Sequence, residues 1–179
     1  MSQIGKKHID SPQGIFVNFL NDKIIVNGAH GKLSSRILSG LQIIKQLNHL
    51  KIIQFLNDRY SSSRQGLMRS IITNMIIGVA DKFFKTLKIT GVGYKFYIEK
   101  KKILLNVGKT TNKQLSIPEH INVENYTMAQ ITLSSIYKTD LNIFASRIRS
   151  ISPLEPYNGH GIFYEGETLF RKSGKRKTK

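Results

Sequence analysis

Glu155, Glu165 and Glu167 fall close in sequence to His160. Carboxylates beside an imidazole are the raw material of acid–base catalysis. Such catalysis also needs a nucleophile motif or a phosphate loop beside it, and this stretch has neither. Cysteine is absent from the 179 residues, which removes thiolate nucleophiles, disulfides and Cys-based zinc or iron–sulfur sites. Position 96 after Gly91 and Gly93 is Phe, and position 164 after Gly159 and Gly161 is Tyr, so no G-x-G-x-x-G turn exists. A Walker loop is missing too. His8, His30, His49, His120 and His160 are scattered, without an i, i+4 partner or a carboxylate at zinc spacing. The chain therefore does not read as an enzyme, and no metal or cofactor is expected.

Binding chemistry is better represented. Ser152-Pro-Leu-Glu-Pro-Tyr-Asn-Gly-His-Gly-Ile-Phe-Tyr164 holds two prolines that stiffen the backbone. Gly159 and Gly161 lack a Cβ and let backbone come close to a phosphate or a ribose. Tyr157 offers a ring for stacking and a hydroxyl for hydrogen bonding. Arg147 and Arg149 precede the stretch. Arg171, Lys172, Lys175, Arg176, Lys177 and Lys179 follow it in a tail with no acid. A stiff Gly/Pro/Tyr loop between cations suits shape-based docking on RNA. A buried aromatic turn that closes a domain has the same composition, and composition does not separate the two.

The charge of the whole chain points the same way. Lys and Arg number 28 and Asp and Glu 11, a net charge of 28 − 11 = +17. Residues 1–90 carry 13 bases and 4 acids, and residues 91–179 carry 15 and 7, so both halves are basic. Seventeen uncompensated charges repel one another, and a polyanion is the natural counterpart. No apolar run approaches the roughly 18 residues that a membrane span needs. With 40% apolar residues the chain can build cores. Its 25 Ile, 20 Lys and 12 Asn against only 4 Ala reflect AT-rich codons, which suggests an AT-rich organellar or bacterial genome.

The elements that would carry these residues recur in two similar series. Pro12-Gln-Gly14 is a turn, and Ile15–Leu20 and Lys23–Val26 form a hairpin around Asn21-Asp22. Leu41–Lys45 and Lys51–Leu56 form a second pair around Asn48-His49. Ser61-Ser-Ser63 then suits a helix N-cap. Apolar pairs follow at Leu67/Met68, Ile71/Ile72, Met75/Ile76, Val79/Ala80 and Phe83/Phe84, ending at Leu87. That spacing predicts an amphipathic helix of about five turns. Arg64 and Arg69 fall in or near its first turns, where free N–H groups favour a phosphate. The second half repeats the order: a bend at Gly91-Val-Gly-Tyr94, a hairpin from Lys95–Ile98 to Ile103–Val107 turning at Glu99-Lys-Lys-Lys102, then strands near 114–117, 121–123 and 130–133. A helix follows with Tyr137, Leu141, Phe144, Ala145 and Ile148 on one face. The spacing from Gly14 to Gly28 is 14, and from Gly93 to Gly108 it is 15. The expected fold is α+β: two tandem similar domains from an internal duplication, each a mostly antiparallel β-sheet with one amphipathic helix packed on a face.

Four stretches also carry a family likeness. Glu155-Pro-Tyr157, Gly159, Gly161-Ile162 and Tyr164 resemble the P-E-P-Y-K-G-K-G-[IV]-[RK]-Y signature of the sixth protein of the large ribosomal subunit. Ile4-Gly-Lys6-Lys7 with Pro12 and Gly14 resembles that family's N-terminus. Arg69, Asn74-Met-Ile76 and Gly78-Val79 resemble its first helix, and Gly91-Val-Gly-Tyr94-Lys95 is similar to its G-V-G-Y-R. The resemblance implies two duplicated α+β domains, here 1–87 and 88–170, with a basic tail at 171–179. It implies binding to large-subunit rRNA close to the sarcin–ricin loop and the stalk base, beside neighbouring ribosomal proteins, where translation GTPases dock. No catalysis, cofactor or membrane is implied. The expected RNA-binding residues are Lys6, Lys7, Arg64, Arg69, Lys95, Lys138, Arg147, Arg149, Tyr157, Asn158, Gly159, His160, Gly161, Arg171, Lys172, Lys175, Arg176 and Lys177.

Departures from the family pattern are specific. Asn158 and His160 replace the two signature lysines, Phe163 replaces the following base, and Leu154 replaces the first proline. The G-x-D-K before the second helix reads Ser135-Ile-Tyr-Lys138. Residues 36–60 match weakly. The family begins almost where this chain begins, leaving no room for a presequence. Together with the composition, this predicts an organelle-encoded protein of the mitochondrial ribosome, with a plastid or bacterial origin as the alternative. The alternative function is a free-standing basic nucleic-acid-binding module outside the ribosome.

Overall fold

A computed structural model describes residues 4–46, 49–55, 60–108 and 112–174. The chain divides into two compact units, Met1–Lys82 and Phe83–Lys179. Both are α+β, with antiparallel sheets and one helix each.

In the first unit the strands are β1 (Ile9–Asp10), β2 (Phe16–Leu20), β3 (Lys23–Gly28), β4 (Gly31–Arg36), β5 (Leu41–Lys45) and β6 (His49–Gln54). They form two three-stranded sheets, β2-β3-β4 and β1-β6-β5. Asn21-Asp22 turns β2 into β3 with Leu20 opposite Lys23, and Asn21 takes φ 49°, a conformation that Asn tolerates. His49, expected in a turn, is instead a strand residue opposite Asp10 of β1, and its Nδ1 lies 2.8 Å from Asp10 Oδ1. α1 (Ser61–Asp81) packs on β3, β4 and β6. Its stripe of Met68, Ile72, Met75, Ile76 and Val79 is buried, together with Ile24, Val26, Leu33, Leu50 and Ile52 of the strands. Gln65 is a buried polar residue among them, and it is satisfied. It donates to Ile52 O at 2.8 Å and accepts from Gln54 Nε2 at 2.8 Å.

Both ends of α1 differ from expectation. Tyr60 holds the N-cap position without a side-chain cap bond, so the three serines lie inside the first turn. Ser61 is buried and donates to Gln54 Oε1 at 3.2 Å, and Ser63 donates to Tyr60 O at 2.8 Å. The helix stops at Asp81, because Lys82 takes φ 57° and ψ 169°. Phe83, Phe84 and Leu87 then belong to β7 (Phe83–Thr90) rather than to a continuation of the helix. A step of four fits the helical period and is also two strand periods. Thr86, Ile89 and Thr90 give this stretch its preference for the strand.

The second unit continues with β8 (Lys95–Glu99), β9 (Lys102–Asn106), β10 (Lys113–Ser116), β11 (Asn122–Tyr126), β12 (Gln130–Ser135), α2 (Lys138–Ile151) and β13 (Gly161–Tyr164). One sheet is β8-β9-β10, and the other runs β11-β12-β7-β13. α2 packs on β7, β12 and β13. Leu141, Phe144, Ala145 and Ile148, at i, i+3, i+4 and i+7, are buried in one core with Leu87, Phe96, Ile103, Leu105, Ile131, Leu133 and Ile162. Asp140 in the first turn and Arg149 in the last complement the helix dipole. Tyr137 does not join the buried stripe. It holds the N-cap position of α2 without a side-chain cap bond and sets its ring edge-on to His120, with centroids 5.5 Å apart. No described helix is long and apolar enough to cross a membrane.

Candidate nucleic-acid interface

The stretch between α2 and β13 is a closed loop in the second unit. Ile162 N donates to Ser152 O at 2.9 Å across its base. Higher up, Glu155 N donates to His160 O at 2.9 Å and Gly159 N donates to Glu155 O at 3.0 Å. Asn158 Nδ2 donates to Glu155 Oε2 at 3.2 Å. These bonds use the loop's inward polar groups and leave Pro156, Tyr157 and Asn158 at an exposed tip. Tyr157 is 55% exposed at this tip.

The two glycines serve a different end from the expected one. Gly161 is buried in β13 opposite Thr90, at φ +140°. A Cβ there would stand 2.7 Å from Pro153 O and 2.8 Å from Leu154 Cα. The backbone that comes close is therefore the chain's own. Gly159, at φ +72°, is buried as well, and its carbonyl accepts from Thr90 Oγ1 at 2.7 Å. The Arg171 guanidinium packs against Gly159, where an added Cβ would meet its Nε at 3.1 Å. Lys172 N donates to Pro156 O at 2.9 Å, which fastens the start of the C-terminal segment to the loop.

His160 faces the ring of Tyr94 at 6.3 Å, so the 91–95 bend stands beside the loop. That bend leaves Val92 91% exposed, and Phe170 next to Arg171 is 78% exposed. Sequence reading passed over both residues. Their only signal was a large apolar side chain among turn and tail residues. Lys95 is exposed, and so is Arg147 on α2, with no side-chain partner among the described residues.

Other expected contacts are committed internally. Arg149 donates to Glu167 Oε1 at 2.6 Å and lies 5.2 Å from the centre of the Tyr164 ring. Glu167 Oε2 also accepts from Tyr164 N at 3.2 Å. Arg149 thus ties the end of α2 to the turn after β13. Lys138 stands 5.5 Å from the Phe83 ring. In the first unit Arg69 reaches Lys7 O at 3.2 Å and His8 O at 3.4 Å, and Arg64 reaches Ser39 O at 3.4 Å. Lys6 and Lys7 are exposed. Lys175, Arg176 and Lys177 lie outside the described residues.

The three glutamates near His160 turn to separate partners. Glu155 holds Asn158, Glu167 holds Arg149, and Glu165 lies 2.9 Å from Lys88. The hydrogen bond and charge of Lys88 hold the Glu165 carboxyl below its ordinary range, with a smaller contribution from Thr86. Among the described residues no three His, Asp or Glu side chains gather where they would hold a metal ion.

Twin α+β units with a net charge of +17 and a braced loop tip define a basic two-domain protein. A family model described as ribosomal protein L6 matches residues 90–165, from the end of β7 past β13. The chain is 37% identical over 175 residues to large ribosomal subunit protein uL6c of Phaeodactylum tricornutum, covering 98% of each. It is 37% identical over 176 residues to large ribosomal subunit protein uL6 of Gloeothece citriformis, and 33% over 176 residues to that of Alkaliphilus metalliredigens, again covering 98% of each. The chain belongs to the ribosomal protein L6 family, which is not a family of enzymes.

Proposed function

We propose that the chain is a structural constituent of the large ribosomal subunit. In this reading it holds large-subunit rRNA close to the sarcin–ricin loop and the stalk base, beside other ribosomal proteins, and braces the surface where translation GTPases dock. The observation that carries the reading is the alignment of 98% of this chain with 98% of proteins named as large-subunit constituents. The geometry supports an architectural mechanism. A loop whose polar groups are already satisfied loses little conformational freedom on docking. Tyr157 then supplies a stacking surface and Asn158 an amide at the tip. The signature lysines are replaced by Asn158 and His160, and Arg171 brings a cation to the same loop from outside it. Lys6, Lys7, Lys95, Arg147 and Lys172 add phosphate contacts. Gly159, Gly161, Arg64, Arg69 and Arg149 act by shaping the surfaces that carry them.

The relatives are bacterial uL6 and uL6c proteins, which fit a bacterial or an organellar ribosome. They favour the plastid and bacterial alternatives and lend the mitochondrial expectation no support. Sedimentation tests the main reading. The protein should travel with large subunits at moderate salt and leave them at high salt. Recovery only in the free fraction at low salt would overturn it.

A further inference from the structure

The tip of the β8–β9 hairpin is built from residues that folding alone would not choose. Glu99 and Lys102 are the last cross-strand pair, so Lys100 and Lys101 by themselves make the turn. Their φ angles are 40° and 64°. A two-residue hairpin turn with both central residues at positive φ favours Asn and Gly, because other side chains crowd the backbone there. In the first hairpin of the other unit the turn residue at positive φ is an Asn, Asn21 at 49°. Here two lysines stand in sequence where a less strained choice exists.

Among the described residues no side-chain interaction accounts for them. Residues 99–102 are all exposed, and neither the Lys100 nor the Lys101 ammonium has a partner among the described residues. Glu99 faces Lys102 across the pair and leaves the two turn lysines uncompensated. The turn is also held from the third strand's end, where Ile117 N donates to Lys101 O at 2.9 Å. The two charges are thus presented from a fixed backbone, and the tip has no apolar side chain to enter a bilayer or a protein pocket. Backbone strain of this kind persists where function requires it.

We infer that Lys100 and Lys101 form a phosphate-contacting site for rRNA, separate from the signature loop and retained at a cost to folding. The inference rests on the proposed ribosomal function and adds a contact to it. Two variants test it in salt-dependent binding to large-subunit rRNA, alongside thermal melting. The Lys100→Asn/Lys101→Gly variant should melt about 5 °C higher, because the turn loses its strain. It should also bind about tenfold more weakly at moderate salt, with a slope of log K on log salt reduced by about 1.5 to 2. The Lys100→Gln/Lys101→Gln variant should show the same loss of affinity and slope with no rise in melting temperature. Binding parent protein and unchanged slopes in both variants would overturn the site while leaving the ribosomal reading intact. Weakening by Asn-Gly alone would also overturn it, since the charge would then be irrelevant. Parent protein that fails to bind the rRNA would overturn the ribosomal reading and the site with it.

Discussion

Gly161 shows how far a single residue type can be read. Its place between two prolines and a Tyr signals a backbone that something approaches closely, and something does: Pro153 O and Leu154 Cα of the same chain. Sequence carries the need for a missing Cβ but not the identity of the neighbour, because neighbours are set by the β13–β7 register. Gly161→Ala combines a close clash with φ +140° and should destabilise the second unit by about 2 kcal/mol or more, read as a lower urea midpoint. Glu165 gives a second prediction at this scale. Lys88 lowers its folded pKa below the ordinary 4.5, so the folded protein binds that proton less readily than the unfolded chain. The resulting stabilisation is present above pH 4.5 and fades as pH falls through the folded value. Melting of Glu165→Gln and parent should therefore differ near neutral pH and converge in acid. A constant difference across the range would rule out this linkage.

Elements were legible where one period explained every apolar residue. Leu141, Phe144, Ala145 and Ile148 allow only a helix, and α2 buries all four. The end of α1 was ambiguous because Val79, Phe83 and Leu87 are spaced by four, which suits a helix and a strand equally. The backbone of Lys82 decides the matter, and no side-chain pattern encodes it. The signature loop was legible as a stiff unit from Pro153, Pro156 and its glycines. Its ties to Arg171 and Lys172 were not, since the tail's composition reads only as charge. Phe144 tests the packing of α2. Phe144→Asp would bury an unpaired carboxylate at a 3% exposed position and should cost more than about 4 kcal/mol, enough to unfold the second unit. Phe144→Leu should cost only about 1 to 2 kcal/mol in urea unfolding, with the signal of a folded helix retained.

For the whole molecule, charge is the property that composition fixes most directly and that structure then sorts. Some of the cations that make up +17 are spent on the fold: Arg69 on carbonyls near the N-terminus, Arg149 on Glu167, and Lys88 on Glu165. The remainder sets how binding responds to salt, because each phosphate neutralised releases about 0.9 counterion from a duplex. The tail can be divided on this basis. Removing residues 175–179 deletes four cations, Lys175, Arg176, Lys177 and Lys179, and leaves the loop with Arg171 and Lys172 in place. If all four meet phosphate, the slope of log K against log salt should fall by about 3 to 4. Removing residues 171–179 deletes six cations and also frees Gly159 and Pro156 from their ties. Its slope should fall by up to about 5, and the loop tip should in addition become less ordered. Those two effects separate by measurement, since screening moves the slope whereas loop order changes affinity extrapolated to high salt. Equal high-salt affinities for the two truncations would show that Arg171 and Lys172 act only as charges, and unequal ones would show that they also brace the loop.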